Sequence, residues 1–417
     1  GDGMELENLS CESDFLTIEC RGATINEGLF TAQGDLRELT TRISQFVFLG
    51  PTRARGMMSG TFGWKIASDG SSSLDLAGRP IEILGNVTVN NPMIQLPDLP
   101  RWEPGQLKVL ASANGVYDGS GAISLSQGGV DAAIGNERMV ASLAQPVIDI
   151  ATQENWTFNT QLSGDAGGWL GHVRNFVDVG DIAASGDLEL TSVATVNAEV
   201  ISAANVQFEL KQFGFDGYGV TIREPRAVGT ATAVYDLVTG VTSIPAATIA
   251  GNSISATGQN ILLGYNDTMH LSGAAAFRAD LNRVADWIQM SPDPDSIYWF
   301  GAVDGTLQFV TTEQGIVTDC VANVQDMVAA QRSTNTRPAA GGFQQASGTT
   351  AAWNELWREP VVRMASRITM AEDFNAIAVK NLTVDCDSVQ LSADGTLQEL
   401  ATTMVTNFVG TWRPNFE

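Results

Sequence analysis

The feature that most constrains this chain is a period-two alternation of apolar and polar residues, interrupted at short intervals by Gly, Asn and Asp. It runs through Asp187-Leu188-Glu189-Leu190-Thr191-Ser192-Val193, Asn205-Val206-Gln207-Phe208-Glu209-Leu210 and Asn381-Leu382-Thr383-Val384-Asp385-Cys386. Successive side chains of a strand point to opposite faces. Such runs therefore bury one face and wet the other, as antiparallel sheets do. Thr, Val and Ile are plentiful, which suits a pleated, half-buried surface. The pairs Asp69-Gly70, Asn114-Gly115, Asp118-Gly119, Asp304-Gly305 and Asp394-Gly395 are two-residue turn signals and are expected to close hairpins.

Four segments depart from this texture and carry helical spacing. Leu36, Leu39, Ile43 and Phe46 follow Gly34; Trp169, Leu170, Val173, Phe176 and Val177 follow Gly164. Phe277, Leu281, Val284 and Ile288 follow Gly273, with Trp287 beside them; Leu397, Leu400, Met404 and Phe408 follow Gly395. Each set forms one apolar stripe on a short helix. Three of the segments are followed by a second glycine that opens a strand, at Gly60, Gly186 and Gly305.

The four helix-entry glycines are spaced by 130, 109 and 122 residues. A second marker, a Glu-Pro step at Glu103-Pro104, Glu224-Pro225 and Glu359-Pro360, is spaced by 121 and 135. Two independent markers with similar periods point to a degenerate repeat whose units share a continuous core. The expected fold is mainly β: an elongated or curved antiparallel sheet built from degenerate repeats, each with one short amphipathic helix. The expected units are 33–162, 163–271 and 272–393, with truncated repeats at 1–32 and 394–417. Segments 332–352 and 291–295 are expected to be loops.

Composition narrows the function. The chain has 417 residues, 23 basic and 47 acidic side chains and a net charge of −24, which argues against nucleic acid. Two His leave little room for His-based metal or triad chemistry. His172 and His270 lack a neighbouring pattern that specifies a reaction and are read as structural. Asp293 with Asp295, and Glu372 with Asp373, form no glycosidase signature and are read as solvated. The Gly-rich stretches lack the Lys of a phosphate loop, and no EF-hand spacing is present. Cys11 with Cys20 and Cys320 with Cys386 could be disulfides or four free thiols. No apolar run is long enough for a membrane helix, and the abrupt termini read as those of an excised segment. No enzyme activity, cofactor or metal is expected.

In its helix-entry segment Leu271-Ser272-Gly273…Leu281-Asn282-Arg283-Val284, the chain resembles bacterial envelope proteins of the AsmA-like and TamB-like group. The strand pair Asn381-Leu382-Thr383…Ser388-Val389-Gln390-Leu391…Gly395 carries the same likeness, as does the return to sheet at Ser185-Gly186-Asp187-Leu188-Glu189-Leu190. The resemblance implies a long antiparallel sheet with an apolar face and a periplasmic or extracellular location. It also implies a membrane anchor outside this segment and a role in phospholipid movement or envelope assembly. The implied partners are phospholipid or other envelope proteins. On this reading the helix stripes (Leu36, Leu39, Ile43, Phe46; Trp169, Val173, Phe176; Phe277, Leu281, Val284, Ile288; Leu400, Met404, Phe408) are candidate apolar-face or lipid contacts, or else plain core. Trp353 and Trp357, four residues apart beside a loop, are candidates for an exposed interaction site. They support the alternative, a surface β-repeat protein that binds polysaccharide or another protein.

Overall fold

The computed structural model describes residues 5–24, 26–44, 53–67, 78–95, 101–118, 122–175, 182–217, 220–266, 268–288, 297–332, 353–371, 375–398 and 405–415. The protein is mainly β: among the described residues 21 strands form an antiparallel sheet that is not closed. The chain divides into two compact units near residue 210.

The first unit opens with β1 (Glu5–Glu12), β2 (Leu16–Thr24) and β3 (Glu27–Asp35), followed by helix α1 (Leu36–Ile43). It continues through β4 (Arg53–Ile66), β5 (Arg79–Gln95), β6 (Gln106–Tyr117), β7 (Ile123–Ile134), β8 (Glu137–Leu143) and β9 (Trp156–Asp165). Helix α2 (Ala166–Val173), β10 (Ala183–Val196) and the start of β11 (Val200–Gly217) complete it. Each strand from β1 to β9 pairs antiparallel with the next.

The second unit holds β12 (Val220–Asp236), β13 (Val241–Gly251), β14 (Ile254–Asn266), β15 (Thr268–Asp280) and helix α3 (Leu281–Ile288). Then follow β16 (Ile297–Thr312), β17 (Gly315–Arg332), β18 (Trp353–Met370), β19 (Ala376–Asp385), β20 (Val389–Gln398) and β21 (Val405–Pro414). These strands too pair with their chain neighbours. Six described strands separate α1 from α2, six separate α2 from α3, and six follow α3. An even number of antiparallel crossings restores the strand direction, so β3 and β9 run the same way into their helices.

An aspartate, not a glycine, starts each helix. Asp35 and Asp165 are extended, and their carboxylates accept the N–H of Arg37 at 2.8 Å and of Gly168 at 2.9 Å. Asp280 accepts the N–H of Asn282 at 3.0 Å. This is the N-cap arrangement that satisfies the otherwise orphaned first-turn donors. The helix expected after Gly273 therefore begins eight residues later, and Gly273 and Phe277 lie in β15. The helix expected after Gly395 is corrected as well. Gly395 through Gln398 end β20, and Phe408 lies in β21. The backbone N–H of Asp35 reaches Phe15 O at 2.9 Å, and that of Asp280 reaches Ser253 O at 2.9 Å. Asn415, after β21, makes the corresponding bond to Ser388 O at 2.8 Å. The end of β21 thus matches the pre-helix position of β3 and β15, some twenty residues beyond Gly395.

Three expected turns are strand interior. Asn114-Gly115 lies in β6 at a register shift, Asp304-Gly305 in β16 and Asp394-Gly395 in β20. Asp118 does bound the β6–β7 connection, accepting the N–H of Ala122 at 3.1 Å. Asp69-Gly70 and the expected loops at 291–295 and 333–352 lie outside the described residues. The long strands bend at bulges instead. In β16 the register skips at Gly301, whose φ of 138° faces Asp326 at φ 49° in β17. Only glycine takes the first conformation freely, and Asp and Asn tolerate the second best.

All four cysteines are free thiols. Cys11 lies opposite Ile18 and Cys20 opposite Leu9, so the first pair is out of register. Cys320 lies opposite Ser366, and Cys386 directs its thiol to Val389 O at 3.3 Å. Burial pushes the Cys320 thiol up from its ordinary value.

Candidate functional site

Strand register shows which residues share a face. In the first unit one face carries the row Phe30, Phe62, Gly85, Ala111, Val130, Ala141, and beside it Trp64, Ile83, Ala113, Gly128. The other face carries Lys65, Glu82, Asn114, Gln127 and Thr31, Thr61, Asn86, Leu110, Asp131, Val140. In the second unit the apolar face carries Ile254, Ala279, Val303, Val324, Val362 and Phe277, Gly305, Ala322, Met364, Val384, Leu391, Trp412. Its opposite face carries Ser255, Arg278, Asp304, Asn323, Arg363, Asp385 and Gln259, Ala274, Gln308, Asp319, Arg367, Lys380. The period-two alternation of the sequence thus places the aromatic and buried side chains on one face of each unit and the paired charges on the other, although in the first unit Leu29, Leu84 and Leu110 lie on the charged face, half exposed.

The wet face is laced by cross-strand ion pairs. Arg367 grips Asp319 through two hydrogen bonds of 2.7 and 2.8 Å, and Arg138 holds Asp131 in the same way. These bonds keep the Asp319 and Asp131 carboxyls below the usual carboxylate range. The pairs are exposed, so their value lies in register and solubility more than in stability.

The apolar face is only partly covered. In the second unit Val303, Val324 and Val362 are buried, and Leu281 and Val284 of α3 pack against them. Each buried Val contributes about 1.5–3 kcal/mol. Large apolar side chains meet solvent on the corresponding face of each unit: Phe62 is 50 % and Val130 38 % exposed in the first, and Trp412 66 % in the second. In the first unit a 270 Å³ concavity opens on this face, lined by Phe62, Ile83, Leu125, Leu143, Trp156 and Phe158. Gly85, Gly128 and Gly129 deepen its floor because they carry no Cβ. Trp156 and Phe158 stack along its wall at 6.5 Å. A second concavity, 570 Å³, lies on the opposite face around Leu29, Leu84, Leu110 and Val140, with Asn86 and Asp131 at its edge.

Glycines opposite aromatic rings recur on the apolar face. Gly28 faces Trp64, Gly305 faces Phe277, Gly273 faces Phe309 and Gly395 faces Phe408. Each ring occupies the space that a Cβ would need. A local reading of Asp-Gly as a turn signal misses this, because the ring lies on another strand.

The Glu-Pro marker has a physical basis at two of its three positions. Glu224 and Glu359 are 4 % and 2 % exposed. The Glu224 carboxylate accepts the N–H groups of Asn252 at 2.9 Å and Ser253 at 3.0 Å, clamping the β13–β14 turn. The Glu359 carboxylate accepts the Asp387 N–H at 3.1 Å, the Trp357 indole N–H at 3.0 Å and the Ser388 hydroxyl, clamping the β19–β20 turn. Both clamps reach 28 residues down the chain. Glu103 differs: it is exposed and paired with Arg101 at 3.1 Å.

In the first unit a buried carboxylate comes from Glu137, which lies beside α2. The His172 Nδ1 accepts the Trp102 indole N–H at 3.1 Å, so the neutral ring carries its proton on Nε2. That nitrogen faces Glu137 Oε2 at 3.6 Å, and Trp169 packs edge-on against the ring. The cluster seats α2 on the sheet. Replacing His172 by Ala leaves the Trp102 N–H without its acceptor, and a loss of about 1–3 kcal/mol is expected in chemical denaturation. A change within about 0.5 kcal/mol, the range of surface substitutions, would remove this role.

The expected site residues are placed as follows. Leu36 and Leu39 are half-buried on α1, beside β3 and β4. Trp169 is half-buried and donates its indole N–H to Ser163 O at 3.2 Å, whereas Val173 is exposed. Phe277, Leu281 and Val284 pack together on the core of the second unit. Phe408 is exposed on a strand, not on a helix. Phe46, Phe176, Leu400 and Met404 lie outside the described residues; Ile43 and Ile288 end their helices, and Trp353 opens β18. Trp357 is a strand residue of β18, partly buried against the core with its N–H bonded inside the protein, which corrects the expectation of an exposed site.

Fold and site define an antiparallel β-sheet protein whose two units each carry exposed apolar side chains on one face and cross-strand ion pairs on the other. No family model matches the chain, and no curated protein matches it significantly. Among the described residues no group of three His, Cys, Asp or Glu could hold a metal ion. Nor is any described helix long and apolar enough to cross a membrane, which leaves membrane-crossing strands unaddressed.

Proposed function

We propose that this chain is a non-enzymatic protein of a bacterial cell envelope whose apolar sheet face shelters lipid acyl chains during lipid transfer or envelope assembly. The observation that carries this reading is the large apolar side chains left in solvent on the sheet of each unit, Phe62 and Val130 in the first and Trp412 in the second. Exposed apolar surface of this kind marks a binding site for an apolar partner. The exposed ion pairs, Arg138 with Asp131 in the first unit and Arg367 with Asp319 in the second, stay in water on the other face of each sheet. The resemblance to AsmA-like and TamB-like proteins supports the same reading. The polysaccharide alternative draws on Trp353 and Trp357, and the internal hydrogen bonds of Trp357 weaken it.

Mass spectrometry of organic extracts of the purified protein tests the proposal. Bound phospholipid is expected. Val130→Asp, which puts a carboxylate beside the 270 Å³ concavity, is expected to lower uptake of a fluorescent phospholipid several-fold without unfolding the sheet. A clean extract combined with no uptake by the parent protein overturns the reading.

A further inference from the structure

We propose that the β12–β13 turn of the second unit is a docking element by which the protein seats itself on a lipid surface. Leu237 and Val238 form the apex of this turn, between Asp236 and Thr239-Gly240. Val238 is 79 % exposed, and Leu237 beside it is exposed too. At the same end of the sheet the β16–β17 turn carries exposed Glu313 and Gln314 instead. What selects a lipid surface as the occupant is that the sheet below the apex is apolar on both faces. Val234 and Tyr235 are neighbours on β12, and Leu262 and Leu263 are neighbours on β14, so each pair sends one side chain to either side. Register aligns them across β13. Val234 lies opposite Ser243, which lies opposite Leu262; Tyr235 lies opposite Thr242, which lies opposite Leu263. All four of these large side chains are exposed. A ligand in a groove, or a protein laid on the sheet, covers one face and leaves the other in water. An apolar phase entered end-on covers both.

Charge and backbone fit the same occupant. Between residues 227 and 277 the only Asp, Glu, Lys or Arg are Asp236 and Asp267, in a chain that is 17 % charged. Hydrocarbon tolerates no unsatisfied backbone group. β13 and β14 are hydrogen-bonded on both flanks. At the turn, the Asp236 carboxylate accepts the N–H of Val238 at 2.9 Å and of Thr239 at 2.8 Å, and the Asp236 carbonyl accepts that of Gly240 at 2.9 Å. The bond from Thr239 above all holds the Asp236 carboxyl below the usual carboxylate range, so it stays ionised. That charge sets a shallow depth. Leu237 and Val238 reach the acyl boundary, and Asp236 stays among the headgroups with Tyr235, where aromatic rings with a polar tip settle. The element lies in the second unit and does not rest on the concavity of the first.

Flotation of the full chain with phosphatidylcholine vesicles tests the proposal. The parent is expected to float with them, and to float less with phosphatidylglycerol vesicles at low salt, because the chain carries a charge of −24. Leu237→Asp combined with Val238→Asp is expected to cut flotation by about tenfold with circular dichroism unchanged. Val238→Trp is expected to raise it several-fold and to add a blue-shifted component to the fluorescence when vesicles are present. Uptake of a monomeric short-chain fluorescent phospholipid, which needs no membrane, reads the concavity of the first unit instead. It is expected to be the same in the parent and the double Asp variant. A parent that floats without taking up that lipid keeps the docking element and counts against the acyl-chain site alone. Absence of flotation by both the parent and Val238→Trp, or equal flotation of the parent and the double Asp variant, overturns the proposal.

Discussion

Glu359→Ala is expected to destabilise the second unit by about 1–3 kcal/mol, because it removes the acceptor of the Asp387 N–H and of the Ser388 hydroxyl and one of the two acceptors of the Trp357 indole. The Asp387 N–H, the Trp357 indole N–H and the Ser388 hydroxyl all end on this carboxylate. Water reaches the site poorly, since Glu359 is 2 % exposed. Glu359→Gln keeps the shape and one acceptor oxygen but turns an NH₂ toward a donor, so an intermediate loss is expected. Urea denaturation followed by tryptophan fluorescence measures both, with Trp357 as a local reporter. Equal stability of Glu359→Ala and the parent would remove the clamp as a structural device. A loss for Glu359→Gln as large as for Ala would show that the charge, rather than the acceptor geometry, matters.

Gly305→Val is the second large effect. A Cβ at this position would lie 2.6 Å from Val321 O and 2.7 Å from Cζ of Phe277. One neighbour is backbone and the other a ring packed on the core, so neither yields easily. Overpacking of this kind costs about 1–3 kcal/mol, and the branched side chain places the outcome at the upper end. A lower denaturation midpoint at unchanged slope is the expected result. Adding Phe277→Ala removes the ring but leaves the Val321 carbonyl, so the two changes should couple, with part of the Gly305→Val penalty absent in the double mutant. Full additivity would show that the ring and the glycine do not share one space.

Both predictions concern residues whose meaning was only half legible in the sequence. Asp304-Gly305 and Asp394-Gly395 have turn composition, yet both lie inside strands. The same dipeptide serves a turn when it ends a strand and seats a ring when an aromatic lies opposite. Only register decides between them. The Glu-Pro step stood out by its recurrence, but its function did not. The clamp reaches 28 residues along the chain to a turn that local composition does not connect to it. The helix stripes after Gly34 and Gly164 coincide with α1 and α2, whereas the stripe around Phe277 straddles a strand end. Asp280, three residues after Phe277, is where the strand stops and the capped helix starts. The stripe after Gly395 fails because Leu397 lies at the end of one strand and Phe408 in the next, paired with β19 and β20. The Trp357 site fails for another reason: spacing places residues on a shared face but says nothing of exposure, and the Trp357 indole is bonded to Glu359 and to Ser388, 31 residues away, and packs on the core.

The sequence by itself determined the antiparallel β class and the division of each strand into apolar and polar sides. Both are local properties of a backbone whose side chains alternate. Only the tertiary structure decided which glycines face rings, which glutamates are buried, and which side chains of the apolar face stay in solvent. Those depend on partners in neighbouring strands, brought together by register and by where α3 covers the sheet, and no window along the chain contains both members of such a pair.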